Sequence, residues 1–158
     1  MIEQLAKWLQ NTPLAMSIAE NWFTEIESVH VIALALVAGT IFTVDARLLG
    51  LASRNLGFTY LSARLLPWTW FAFGLAALSG GLMFTSDATR YIKNTPFLIK
   101  MSLLVLAGLN MAYFQLVTLR GVSRWDVGRP VRAARVAGAL SILLWTAIIA
   151  CGRWIGFV

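Results

Sequence analysis

The residues best equipped for chemistry are Glu27 and His30, three positions apart on one apolar stretch. A carboxylate and an imidazole at i and i+3 share a helix face and match half of a di-iron bundle site. That site needs a second such unit and further carboxylates, and zinc also needs more ligands than this pair supplies. A b-type haem needs less. His30, the only histidine, offers one axial bond, alone or with Met83, Met101 or Met111 as a second ligand. Lys100, Arg153 and Tyr91 are the polar groups that could join Glu27 and His30. Asn110 and Gln115 lie deeper. No Ser/His/Asp or Cys/His arrangement and no phosphate-binding glycine loop occurs in a usable context, so the chain reads as non-enzymatic.

These side chains must be positioned by helices in a bilayer. Apolar stretches occupy 24–44, 66–84, 97–119 and 137–157. Each approaches the ~20 residues that cross a ~30 Å hydrocarbon core. Backbone groups in hydrocarbon must be satisfied within the chain, which makes the stretches helical. With their polar ends, the spans are expected at about 24–48, 66–85, 97–119 and 131–157. The 158 residues are 59% hydrophobic with mean hydropathy +0.74, above the usual apolar share of a soluble domain. Residues 1–158 therefore read as one membrane domain, an all-α, up-down four-helix bundle. Small residues four apart (Ala35 and Gly39, Ala76 and Gly80, Gly108 and Ala112, Ala147 and Cys151) suit close helix approach and homo-oligomer faces.

Charge gives the orientation. The net charge of +6 does not indicate nucleic acid, because the basic residues flank spans. Arg47, Arg54, Arg64, Arg120, Arg124, Arg129, Arg132 and Arg135 fall in or beside two same-side loops with only Asp45 and Asp126 against them. The positive-inside rule makes those loops cytoplasmic. Both termini then face outward, into the periplasm if the host is Gram-negative. Trp68, Trp70 and Trp125 suit the inner interface, Trp22 and Trp154 the outer one, and Trp145 core packing. Residues 1–20 read as short helices on the outer surface, the first weakly amphipathic through Ile2, Leu5, Trp8 and Leu9. Thr24-Glu25-Ile26-Glu27 is a capping-box pattern that opens the first span. Pro67, Pro96 and Pro130 suit first helical turns.

Glu27, His30, Lys100 and Arg153 then share one level. His30 lies roughly 7 Å inside the outer boundary, by helical rise. Each also has a plainer reading. Glu27 can complete the capping box, Lys100 and Arg153 can snorkel, and Asn110 and Gln115 can join helices by hydrogen bonds.

Several phrases occur together: Glu27-x-x-His30, Gly39-Thr40 leading to Asp45-x-Arg47-Leu48-Leu49-Gly50, Leu65-Leu66-Pro67-Trp68, Phe97-Leu98-Ile99-Lys100-Met101, Ala107-Gly108-Leu109-Asn110, Ala134-Arg135 and Gly152-Arg153. With them the chain resembles an uncharacterised family of small four-helix bacterial inner-membrane proteins, a domain of unknown function. It is distantly similar to the membrane domain of CopD-type copper-resistance proteins. The resemblance implies a bundle in which the Glu/His level and the lysine of span three matter. It also implies a second histidine in relatives where this chain has Gln115, a departure that weakens a two-histidine haem or metal site. Three functions follow as expectations. One is a membrane subunit or anchor in a homo- or hetero-oligomeric assembly, with an outer polar site. Another is a b-haem electron-transfer module on His30. The last is a small transporter or channel.

Overall fold

The computed structural model describes residues 1–53 and 55–157. Arg54, one of the arginines used for orientation, lies outside the described residues. The helices are α1 (Ile2–Gln10), α2 (Pro13–Ser17), α3 (Phe23–Leu49), α4 (Phe58–Ser86), α5 (Ala88–Tyr91), α6 (Thr95–Tyr113) and α7 (Arg132–Trp154). No strand occurs among the described residues. Short π- and 3-10 turns extend some helices, giving four rods long and apolar enough to cross a membrane: Pro13–Leu49, Phe58–Ser86, Thr95–Arg124 and Arg132–Phe157. The protein is thus an all-α, multi-pass membrane bundle.

Two rods begin earlier than local motifs predict. The Thr24–Glu27 capping box is not a helix start. Thr12 caps instead, accepting from the Ala15 N–H at 3.3 Å, and Pro13 takes the first turn. The helix then runs on through a π-turn at Ile18–Trp22, so Thr24 and Glu27 lie inside a rod whose backbone is already bonded. Pro67 is likewise inside α4 rather than in its first turn. The start of α4 is fixed by a distant residue. Asp126 accepts from the Thr59 N–H at 2.7 Å and the Thr59 hydroxyl at 2.8 Å through Oδ1, and its carbonyl accepts from the Phe58 N–H at 2.9 Å. These are the orphan donors of a helix N-terminus.

The Thr59 bonds, first the backbone and then the hydroxyl, hold the Asp126 carboxyl below the usual carboxylate range. Because the folded value is depressed, the associated stability is present above the ordinary Asp value of about 3.9 and is lost as pH falls through the folded value. The melting temperature in detergent is therefore expected to fall on acidification below about pH 4, with a shallower slope in Asp126→Asn. Equal slopes would remove Asp126 from this role.

α3 is the central rod, packed along α4 on one side and α7 on the other, while α6 packs along α7. The central core joins Val37, Ala72, Ala107, Leu144, Trp145 and Ile148, one or more from each rod. Small residues such as Ala33, Ala76 and Ala137 point inward, while Phe71, Leu78, Leu109 and Leu143 point out. In lipid, outward leucines lose nothing, and inward small residues let backbones approach. Aromatics join α4 to the α6 rod near both ends. Phe84 stacks on Phe97 at 5.6 Å, and Phe58 meets Phe114 edge-on at 5.6 Å. Of the expected small-residue pairs, Ala76 and Gly80 lie at a tight contact, whereas Ala35, Gly39, Gly108 and Ala112 all face outward. α3 and α7 approach closely at Gly138, where a Cβ would stand 3.0 Å from Leu48 Cβ and 3.3 Å from the Asp45 carbonyl oxygen.

Both termini sit at one end. Gln10 Oε1 accepts from the Thr89 hydroxyl at 2.8 Å, Glu3 pairs with Lys93 at 2.8 Å, and the Asn94 amide donates to the Ile155 carbonyl at 3.4 Å. The opposite end holds both arginine-rich loops. Trp125 belongs to its core rather than to an interfacial belt, because it packs on Phe58 at 5.4 Å and is buried. Trp22, Trp68, Trp70 and Trp154 are exposed, and Trp145 is in the core.

Candidate functional site

His30 points from α3 onto α4. Its Nδ1 lies 3.0 Å from Ser79 Oγ. The Ser79 hydroxyl donates to the Leu75 carbonyl at 2.7 Å, the usual way a helix absorbs a serine. Its single hydrogen is therefore spent, so Nδ1 carries a hydrogen and donates to Ser79. Nε2 is turned away from that bond and has no hydrogen-bond partner among the described residues.

Room for the ring comes from Gly80, where a Cβ would stand 2.9 Å from His30 Cε1. Gly80→Ala is therefore expected to push the ring off Ser79. With one histidine in the chain, a single imidazole 15N signal pair reports the result. The Nδ1 resonance should shift in Gly80→Ala and stay put in Gly81→Ala, since nothing lies within 4 Å of a Cβ at Gly81. Unchanged spectra in both would contradict the contact.

Lys100 reaches the same interior level from α6 and acts electrostatically on His30. Its stem lies along α7, where a Cβ on Gly152 would stand 3.5 Å from Nζ. No ion pair or hydrogen bond to Lys100 occurs among the described residues. A half-buried ammonium inside a membrane bundle is costly unless something answers its charge.

The other expected members separate. Arg153 is exposed, with its guanidinium 5.0 Å from the Phe157 ring centre, and does not join His30. Glu27 is exposed at the outer rim, near enough to Tyr91 to act on its phenol. Tyr91 packs on Phe97 at 5.3 Å and Phe84 at 6.0 Å. Burial pushes its phenol up, and the Asp87 and Glu27 carboxylates act in the same sense against Arg90. Asn110 donates to the Ala137 carbonyl at 3.0 Å, an α6–α7 link. Gln115 is exposed in the π-turn Phe114–Thr118. The assembled site is thus His30, Ser79 and Lys100, with Glu27 and Tyr91 above it. Among the described residues, no cluster of three His, Cys, Asp or Glu side chains is present.

Sequence reasoning missed two things. Ser79 was legible only as part of a small-residue run, yet it orients the histidine. Asp45 and Arg47, read as the polar end of span one, are 5% and 1% exposed. Arg47 Nε donates to the Leu56 carbonyl at 2.9 Å, and Nη2 donates to those of Asp126 at 2.8 Å and Gly128 at 3.4 Å. Asp45 lies near Ser141 and keeps one buried oxygen without a partner among the described residues. The signal was the Asp45-x-Arg47 spacing one turn before Gly50, whose left-handed φ of 72° ends α3.

No curated protein and no solved structure matches the chain significantly. A family model, described as "Family of unknown function (DUF6644)", matches residues 17–158, which takes in all four spans and the His30–Lys100 level. On that match the chain belongs to the DUF6644 family, whose function is unknown.

Proposed function

We propose that the protein is a non-enzymatic membrane subunit or anchor whose outward polar level receives a small ligand within a homo- or hetero-oligomeric assembly. The observation that carries this reading is the Lys100 ammonium, half-buried beside His30 with no acidic partner among the described residues. A ligand offering an acceptor to Lys100 and a donor to His30 Nε2 would satisfy both. The arginine-rich end faces the cytoplasm by the positive-inside rule, so in a bacterial inner membrane this level and both termini face the periplasm. The test is mass spectrometry of whatever co-purifies with the wild type, Lys100→Met and His30→Gln, with circular dichroism as the folding control. A near-stoichiometric small molecule in the wild type, depleted in both folded variants, is expected. Identical content in all three would overturn the reading.

One observation favours a b-haem as the second reading. An axial histidine is ordinarily oriented by a hydrogen bond at its other ring nitrogen, and Ser79 makes that bond here. His30 fits as one ligand, and haem would supply one-electron chemistry. Met83 stands one turn beyond Ser79 on α4, whereas Met101 is exposed. A reduced-minus-oxidised spectrum with metal analysis decides it: a haem band lost in His30→Ala supports the module, and a colourless, metal-free protein sinks it.

A further inference from the structure

The rods pack side by side in the order α4, α3, α7, α6, which leaves α4 and α6 as the two edges. These edges are bridged by side chains near their ends, Phe84 on Phe97 at the outer end and Phe58 on Phe114 at the inner one. Between the two bridges a seam faces the hydrocarbon. Gly80, one turn inward from Phe84, and Lys100, one turn inward from Phe97, flank its outer part, and both are half-buried. His30 lies against Gly80, with Nε2 unpartnered among the described residues. Further in, α6 turns half-buried Leu104 and Met111 to the seam, at seven-residue steps from Phe97.

The aqueous side of this level is covered. Phe84, Tyr91 and Phe97 form an aromatic triangle about one turn outward, with ring centres 5.3, 5.6 and 6.0 Å apart. α1 and α2 cross the outer end of α4, and Ala6, Ala15, Ile18 and Ala88 are buried in that cap. A ligand for His30 and Lys100 therefore has its open route through the seam, from the bilayer. It must be lipid-soluble and still carry a head that answers an ammonium.

We propose that the His30–Lys100 level binds the carboxyl group of a fatty acid whose chain leaves along the α4–α6 seam. The inference rests on the reading of this level as a ligand site and names the ligand's class. A carboxyl carries an acceptor and a donor on adjacent oxygens. One oxygen accepts from the Lys100 ammonium, and the other donates its O–H to His30 Nε2, since Nδ1 already holds the ring's hydrogen. As that proton shifts towards the ring, the carboxyl gains the negative charge that Lys100 lacks beside it, which strengthens both bonds. The acid enters neutral, the form that hydrocarbon admits.

The test follows the single imidazole 15N pair of the full-length protein in detergent while palmitic acid, its methyl ester, acetate and a short-chain quinol are added in separate titrations. Palmitic acid is expected to move the Nε2 resonance and to saturate at one per chain. The methyl ester, which lacks the O–H, and acetate, which lacks the chain, should leave it in place. Lys100→Met should weaken palmitic acid binding about tenfold or more, the scale of one hydrogen bond to a charged group. The variant gives up a buried charge, so its circular dichroism melt should not fall below the wild type. A response to acetate equal to that to palmitic acid, or an unaffected Lys100→Met, would overturn the fatty-acid site. A response to the quinol alone, or silence towards all probes while another small molecule co-purifies, would overturn it and leave the level a ligand site. Silence towards every probe with nothing co-purifying would overturn both readings.

Discussion

Arg47→Ala is expected to lower stability by about 3–5 kcal/mol, since it removes hydrogen bonds from a charged donor, each contributing about 1.5–3 kcal/mol, and truncates a buried side chain. Arg47 is 1% exposed and donates to three carbonyl oxygens, on Leu56, Asp126 and Gly128. Removing the guanidinium takes one shared donor away from three loop carbonyls and leaves a cavity where a fully buried side chain stood. A chain of this length loses about 2–4 °C per kcal/mol, so the melting temperature should fall by about 6–20 °C. Arg47→Lys should recover little, because a point-like ammonium cannot reproduce a planar fork aimed at carbonyls of two loops. Fluorescence of the buried Trp125 should redden in the alanine variant before the helices melt. A variant melting within about 2 °C of the wild type would show that the loops hold without the guanidinium.

Gly138→Val is expected to cost about 1–3 kcal/mol through overpacking. The added Cβ alone would stand 3.0 Å from Leu48 Cβ and 3.3 Å from the Asp45 carbonyl, and neither is a flexible chain end. The α3–α7 crossing must widen, which draws Leu48 away from Phe58, Trp125 and Ala134. Gly39→Val is the matched control, since a Cβ there meets nothing within 4 Å. Thermal unfolding of the two variants side by side checks the contact. If both melt alike, the close approach at Gly138 is not what holds the helices.

Much of the fold was legible because a bilayer reduces the problem to counting apolar residues. Four long hydrophobic runs had to be four helices, and an even number of spans had to return both termini to one side. His30 was legible as interior because a short imidazole on an apolar run cannot reach water. What escaped was set by contacts remote in sequence. The start of α4 depends on Asp126, 67 positions from Thr59, so Pro67 looked like the first local start signal. Arg47 and Asp45 looked like a solvated helix end because their partners lie on other rods and loops. The capping box failed for a different reason. Thr24 and Glu27 have the right spacing, but Thr12 and Pro13 had already begun the helix. Arg153 lies outside the site, its guanidinium over the ring of Phe157 four residues on, a contact between side chains at a helix end that the level counted along the span does not reveal.

The arginine clasp also sets a timetable for biogenesis. Arg47 and the Asp126 carbonyl that receives it are 79 positions apart. At roughly 5–20 residues per second, the ribosome delivers the receiving loop about 4–16 s after the arginine. For that interval the α3–α4 hairpin has no clasp, and α4 has no Asp126 to receive its first N–H groups. The last hairpin therefore does more than add two helices. The turn between its two helices closes a structure begun seconds earlier, so a chain halted before Asp126 has completed three of the four rods and still lacks the latch on the first two.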